Sequence, residues 1–444
     1  MTRRYGGSSA SMTTISRPPR IRARLRVPSD KSISHRALLF GALADGASVV
    51  ERPLDSADVR STARCLAALG AEIVWPPGSE RASIRGRGLH GLSEPEDVLD
   101  CGNSGTTMRL LAGILAGQPL LAVLTGDASL RRRPMDRIVR PLQEMGATVF
   151  ARMGNSRPPL VVRGGNLHPI SYRSPVASAQ VKSAVALAAL FADGTTRYEE
   201  PSPSRDHTER MLAAMGASIR TEGKAIVIEP ADRLTPLTIR VPGDISSAAP
   251  WLVLAVCHPD AEVLIEDVNL NPTRTGIIDI LRAMGGEVAV LDLRHEGGEP
   301  VGALAARSSQ LRGAEVAGAL VPRAIDELPL VALAACFAQG RTVVRDAAEL
   351  RVKESDRIAM VGAILGRFGV RVELFPDGFA VEGPQPLRGA RIDAGGDHRM
   401  GMLAGVAGAL ADGETRVLND AVEVSYPAFW RDLSAIAAGE GVPG

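Results

Sequence analysis

Val27-Pro28-Ser29-Asp30-Lys31-Ser32-Ile33-Ser34-His35-Arg36-Ala37-Leu38-Leu39 runs a polar, basic turn straight into an apolar helix. Ser29 behind Pro28 reads as the N-cap, and Ile33, Ala37, Leu38, Gly41 and Ala42 recur at helical spacing up to a stop at Asp45-Gly46. Lys31 and Ser32 then fall in the first turn, with Arg36 four residues beyond Ser32 on nearly the same face. A helix N-terminus carries roughly half a positive charge, so a cation there is disfavoured by about 0.3–1 kcal/mol unless something anionic offsets it. Unpaired amides, a lysine, a hydroxyl and an arginine together describe a phosphate or carboxylate site. Alone, the stretch reads first as a solvated basic helix start. The rest of the chain changes that reading.

Leu69-Gly70-Ala71-Glu72-Ile73, Met145-Gly146-Ala147-Thr148-Val149, Met215-Gly216-Ala217-Ser218-Ile219, Met284-Gly285-Gly286-Glu287-Val288 and Phe368-Gly369-Val370-Arg371-Val372 are five copies of one signature, 69 to 84 residues apart. Each glycine reads as a helix C-cap that passes into a β-branched strand. Upstream of each lie an Ala/Leu-rich helix, a turn, a short strand, a polar loop and a second helix. A sixth, degraded unit runs from Met402 through Asp412-Gly413 to Leu433. The pattern predicts an α/β fold of six ββαβ-type units. Stretches such as Val185 to Phe191 are apolar all round, which predicts buried helices.

Basic residues return at the helix starts of these units: Arg131-Arg132-Arg133-Pro134-Met135, Ser204-Arg205-Asp206-His207, Lys353-Glu354-Ser355-Asp356-Arg357 and Asp397-His398-Arg399-Met400. Pro134 suits a first helical position. Asn103-Ser104-Gly105-Thr106 supplies a small-residue turn whose backbone can approach a ligand. One basic helix start means little, but several at equivalent places of a repeat predict a common anion-binding cleft. The alternative is a surface ring of salt bridges with Asp206, Glu354 and Asp356.

Composition bounds the partners. The 444 residues are 45% hydrophobic, enough for a large core in two or three domains. A net charge of +1 and 3% aromatics argue against nucleic acid. No apolar run reaches about 18 uncharged residues, so no membrane span is expected. Four dispersed cysteines and seven scattered histidines offer neither a disulfide framework nor metal-ligand spacing, and a reduced cytoplasmic setting is expected. Residues 1–20 are Ser/Thr- and Arg-rich without an acid, and are expected to form a disordered tail outside the fold.

These stretches, with Ser174-Pro175-Val176-Ala177-Ser178-Ala179-Gln180-Val181-Lys182-Ser183-Ala184, Arg205-Asp206-His207-Thr208 and Asp326-Glu327, resemble the EPSP synthase family of enolpyruvyl transferases over residues 20–435. The Ala179 form with Lys182 looks like its divergent bacterial branch. The resemblance implies a two-lobed, inside-out α/β barrel with three repeats around buried helices in each lobe. One lobe would be residues 21–29 plus 244–444 and the other 30–243, joined by crossings near Ser29 and Pro242-Gly243-Asp244.

The reaction implied is transfer of the enolpyruvyl group of phosphoenolpyruvate to the 5-hydroxyl of shikimate 3-phosphate, by addition and then elimination of phosphate, without cofactor or metal. By resemblance, Lys31, Ser32, Arg36, Ser178, Gln180 and Lys353 would hold shikimate 3-phosphate, aided by Ser204, Arg205 and Asp326. Gly105, Arg133, Arg357 and Arg399 would hold phosphoenolpyruvate, with Lys31 and Gln180 touching both substrates. Lys31, Asp326 and Glu354 would be catalytic, Asp326 as base at the hydroxyl and Glu354 as proton carrier at the methylene carbon.

Plainer readings stand beside these. Asp326 could cap a helix from Leu328 to Phe337, Glu354 could pair with Arg357 at i,i+3, and His207 and His398 could be structural. Ala179 replaces a serine, and Val424 a lysine, found in other members. Gly105 implies that glyphosate competes with phosphoenolpyruvate. The two substrates are the expected partners, and a monomer is expected. The rivals are a UDP-N-acetylglucosamine enolpyruvyl transferase, whose loop cysteine is missing near Arg131 to Arg133, and an inactive anion-binding repeat scaffold.

Overall fold

In the computed structural model, which describes residues 13–438, Gly70, Gly146, Gly216, Gly285 and Gly369 all take positive φ, between +88° and +100°. Each stands one residue beyond the C-cap of a helix, where an L side chain would be strained. The left-handed turn throws the chain into a strand that then pairs antiparallel with its successor. A whole unit runs strand, buried helix, strand, outer helix, two strands. Thus Leu99–Asp100 lies parallel to Leu121–Thr125, which pairs antiparallel with Arg157–Arg163, which pairs with Thr148–Ala151. Among the described residues this order builds five four-stranded sheets and one three-stranded sheet.

Sequence-distant strands close each half. Thr238–Arg240 lies parallel to Ala47–Glu51, and Ile21–Arg26 lies parallel to Ala261–Asn269. Among the described residues the sixth unit has no returning strand of its own, and Thr13–Ile15 fills that place antiparallel to Thr415–Leu418. Residues 13–20, expected in a disordered tail, are therefore part of the fold. Ile15 is buried there, and the Pro18 carbonyl accepts a hydrogen bond from His258 Nε2 at 2.9 Å. Residues 1–12 of that expected tail lie outside the described residues.

Two apolar cores result. One gathers residues from Ile33 to Val241 around the helices Lys31–Leu43, Gly105–Ala116 and Ala179–Ala189. The other gathers Ile15 to Val27 and Ile245 to Ile436 around Ile245–Cys257, Leu328–Ala335 and His398–Leu410. Every residue of Ile245–Cys257 and of His398–Leu410 is buried, as apolar helices without a polar face must be. Small residues let these helices approach closely. A Cβ on Gly113 would stand 2.2 Å from the Ala184 carbonyl oxygen of the neighbouring helix. The chain passes between the cores beside itself, with Asp30 N donating to Pro242 O at 2.7 Å and Asp244 N to Pro28 O at 2.9 Å.

Two local expectations are corrected. The cap of Lys31–Leu43 is Asp30, whose carboxylate accepts from Ile33 N at 2.8 Å, while Ser29 is engaged in a bridge to Gly243. Pro134 precedes the cap Met135 of Asp136–Glu144 because its carbonyl is held by Arg109 Nη2 at 2.9 Å.

Gly113→Ala and Gly216→Ala should both destabilise the protein, for different reasons. The first inserts a methyl into backbone and should cost about 1–3 kcal/mol. The second meets nothing within 4 Å but must hold φ near +91°, costing about 1–2 kcal/mol, which Gly216→Asn should largely recover. Urea denaturation of the three variants checks the order.

Candidate active site

The buried helices of both cores begin at one cleft of about 750 Å³, and their first residues line it. Lys31, Ser32 and Arg36 come from the first turns of Lys31–Leu43, Gly105 opens Gly105–Ala116, and Ser178 caps Ala179–Ala189. From the second core come Asp326, which precedes Leu328–Ala335, and Arg399 at the start of His398–Leu410. Every site residue expected from the sequence lines this cleft. Of the carboxylates in the alternative ring only Glu354 lines the cleft, paired with Arg357 and Arg133, while Asp206 pairs with Arg210 and Asp356 with Arg351 outside the lining.

Asp326 is the charge centre. Arg205 reaches it from the first core, and from its own core come Arg357 Nη1 at 3.1 Å and Lys353 Nζ at 3.4 Å. Burial works to raise its pKa, but Lys353, Arg205, Arg357 and Arg399 hold it well below the usual carboxylate range. Asp326 is thus no helix cap. Glu327 takes that position for Leu328–Ala335, which ends two residues short of Phe337.

Glu354 does pair with Arg357 at i,i+3, Nη2 to Oε2 at 2.8 Å, and also faces Arg133 from the other core at 3.6 Å. Burial opposes its ionisation, yet Arg357 and Arg133 keep its pKa well below the ordinary value. Arg357 is fixed in turn by Asp397, with Nε to Oδ2 at 2.9 Å. The i,i+3 pairing expected of Glu354 is therefore present, on the wall of the cleft.

The cations that line the cleft are supported from behind. Arg36 donates to Thr208 Oγ1 at 2.7 Å and Ser183 Oγ at 2.8 Å, and burial pulls its pKa down to about 10. Lys31 Nζ lies 3.2 Å from Asp58 Oδ2, and Arg399 Nη1 donates to Ser246 O at 3.0 Å. Arg133 Nη2 donates to Asn103 Oδ1 at 2.7 Å. The Ser178 side chain makes no cap bond, whereas Ser204 gives its hydroxyl to Glu200 Oε2 at 2.8 Å. Ser204 therefore lines the cleft with its donor already committed.

Several charged lining residues escaped the sequence reading, Arg109, Arg137, Glu349 and Asp58 among them. Arg109 donates to Gln180 Oε1 at 2.5 Å, and burial, with Arg133 nearby, lowers its pKa to about 10. Its place four residues after Gly105, one turn along the same helix face, was the available signal. Arg137 pairs across the cleft with Glu349 at 2.8 Å, and Asp58 answers Lys31. Neither pairing has a local sequence signature. His398 lines the cleft, with its pKa driven down to about 3 by burial, Arg399 and Lys31, so its ring is neutral at pH 7. His207 lies outside the lining, as does Val424. Among the described residues no cluster of His, Cys, Asp or Glu is placed to hold a metal ion, and no helix is long and apolar enough to cross a membrane.

Comparison with known proteins agrees along almost the whole chain. A family profile described as EPSP synthase (3-phosphoshikimate 1-carboxyvinyltransferase) matches residues 15–433. The 3-phosphoshikimate 1-carboxyvinyltransferase of Roseiflexus castenholzii is 54% identical over 428 residues, 95% of this chain and 99% of the relative. That of Desulforudis audaxviator is 50% identical over 418 residues, 94% of this chain and 97% of the relative. A solved EPSP synthase from Acinetobacter baumannii superposes with a TM-score of 0.85 at 41% identity, covering 96% of this chain and 98% of that one. With its repeats, its two cores and its cationic cleft accounted for in these terms, the chain belongs to the EPSP synthase (3-phosphoshikimate 1-carboxyvinyltransferase) family.

Proposed function

We propose that the cleft carries out the family's reaction, transfer of the enolpyruvyl group of phosphoenolpyruvate to the 5-hydroxyl of shikimate 3-phosphate, a step of the shikimate pathway. The observation that carries this reading is the convergence, from two separate cores, of cationic helix starts on two ionised carboxylates in one cavity. Two anionic metabolites fit a site of that charge, and removing them from water against fixed cations orients them for reaction.

Residues 30–243 and residues 21–29 plus 244–444 act as two lobes. Lys31, Ser32, Arg36, Ser178, Gln180, Arg205 and Lys353 hold shikimate 3-phosphate, with Arg36 and Ser178 reaching it from the first lobe. Gly105, Arg133, Arg357 and Arg399 hold phosphoenolpyruvate, so each substrate draws on both lobes and closure brings the reactants together. The working form is a monomer in the cytoplasm, since one chain supplies the whole cleft and all four cysteines are free and buried.

Asp326, ionised among cations, accepts the proton of the 5-hydroxyl as its oxygen bonds to C2 of phosphoenolpyruvate, and C3 takes a proton to become a methyl group. In the second half that methyl returns a proton while the C2–O bond to phosphate breaks. Glu354 carries the proton at C3. Arg357 and Arg133 keep it ionised, and a phosphate and a carboxylate held by those arginines offset their charge and let its pKa rise toward a value at which it can hold a proton.

Phosphate release from phosphoenolpyruvate should require shikimate 3-phosphate; release with UDP-N-acetylglucosamine instead, or with neither acceptor, overturns the reading. Asp326→Ala should lower kcat by about 10²–10⁴-fold. Glu354→Gln should abolish entry of solvent deuterium into the methylene group of phosphoenolpyruvate, and undiminished exchange removes Glu354 from that role. A Cβ on Gly105 would stand 2.6 Å from Arg109 Nη1 and 3.3 Å from Arg133 Nη1. Gly105→Ala should therefore raise the KM for phosphoenolpyruvate and weaken inhibition by glyphosate. Constants unchanged by the substitution refute this account of Gly105.

A further inference from the structure

Beneath the cleft, a set of buried polar groups joins the two cores, and no step of the reaction uses it. His207 opens the helix His207–Ala214, whose Met211 and Leu212 belong to the first core. Glu299 opens the strand Glu299–Arg307, whose Leu304 and Ala306 belong to the second. Both side chains are fully buried, and Nδ1 of the imidazole lies 2.8 Å from Oε1 of the carboxylate. The other oxygen, Oε2, accepts from Asn269 Nδ2 at 2.9 Å and Asn271 Nδ2 at 3.0 Å. Burial works against the charge on Glu299, but His207 and the two amides bring its pKa down to about 2.

The same Asn271 amide donates to Asp206 Oδ1 at 2.6 Å. Asp206 Oδ2 accepts from Arg210 Nε at 2.9 Å, and Arg210 Nη1 donates to Gly298 O at 3.1 Å. Residues 206–210 of the first core are thus gripped at several points by residues 271 and 298–299 of the second. Arg205 is the next residue along, and its guanidinium meets Asp326 on the floor of the cleft.

A polar pair removed from water recovers little of its desolvation cost, and apolar contact would hold two domains together as well. What directional hydrogen bonds add is one register in place of several. We propose that Glu299 and His207 are positioning residues: they set the register in which the two cores meet, and they act on the reaction through Arg205 and its contact with Asp326. This rests on the proposed roles of Arg205 at shikimate 3-phosphate and of Asp326 as base. Neither Glu299 nor His207 lines the cleft, so neither touches substrate.

The test is a double-mutant cycle in steady-state kinetics on the full chain, with Glu299→Gln, Arg205→Lys and the double variant, alongside thermal unfolding. A misplacement of about 1 Å at a reacting group costs on the order of 100-fold, so Glu299→Gln should lower kcat by about tenfold or more. The KM for phosphoenolpyruvate should move less than about threefold, because its ligands are intact. In the Arg205→Lys background the same substitution should cost less than about threefold, since the group it acts through is already displaced. His207→Asn, which keeps an N–H near the position of Nδ1, should stay within about threefold of the parent, whereas His207→Ala should fall as Glu299→Gln does.

Full kcat in a folded Glu299→Gln variant, or losses that multiply in the double variant, overturns the proposal. A silent Arg205→Lys beside a costly Glu299→Gln instead overturns the role of Arg205, and with it this route to Asp326. Should Glu299→Gln fail to fold, Asn271→Ala, which removes the amide between Glu299 and Asp206, is judged by the same two criteria.

Discussion

Positive charge placed at the positive ends of helices is the constraint on which the rest of this molecule depends. Two like charges about 4 Å apart repel by about 4 kcal/mol at an effective dielectric constant near 20, and a helix N-terminus adds to that repulsion. The protein gathers Lys31, Arg36, Arg133, Arg357 and Arg399 at or beside such ends around a single cleft. It holds them with carboxylates drawn from both cores: Asp58 on Lys31, Glu354 on Arg133 and Arg357, Asp397 on Arg357. Hydroxyls and carbonyls behind the guanidiniums fix their direction, so that an arriving anion meets charges already aimed.

The two carboxylates proposed to serve the reaction, Asp326 and Glu354, sit among different neighbours. Asp326 is ringed by Arg205, Lys353 and Arg357, and remains ionised, as the proposed base must. Glu354 depends on Arg357 and Arg133, the two arginines proposed to hold phosphoenolpyruvate, so its proton affinity is tied to occupancy of the site. His398 beside them is kept neutral by burial, Arg399 and Lys31. Two similar acids in one cleft thus differ in the cations that surround them.

Much of the fold was legible in local sequence because a repeated unit repeats its physics. The five glycines mark the left-handed turn that follows each outer helix, which glycine takes without strain, and the apolar stretches had to be buried, since they have no polar face. Errors came where a residue's partner is remote. Ser29 looks like a cap, but the pairing with Gly243 claims it and Asp30 caps instead. Pro134 looks like a helix start, but Arg109 holds its carbonyl. The stretch from Thr13 looks like tail because nothing nearby announces that the last sheet is short of a strand.

The sequence by itself determined the unit, the number of units and the chemistry at each helix start, because helix periodicity, caps and left-handed turns depend on residues within one or two turns of each other. Tertiary structure alone decided that Arg137 and Asp58 join those starts in one cleft, and that Glu299 and His207 pair between the two cores. These groups lie tens to hundreds of residues apart, with no period to connect them. Only the closing of each half by a distant strand, Thr238–Arg240 in one and Ile21–Arg26 in the other, turns separate helix ends toward one cavity.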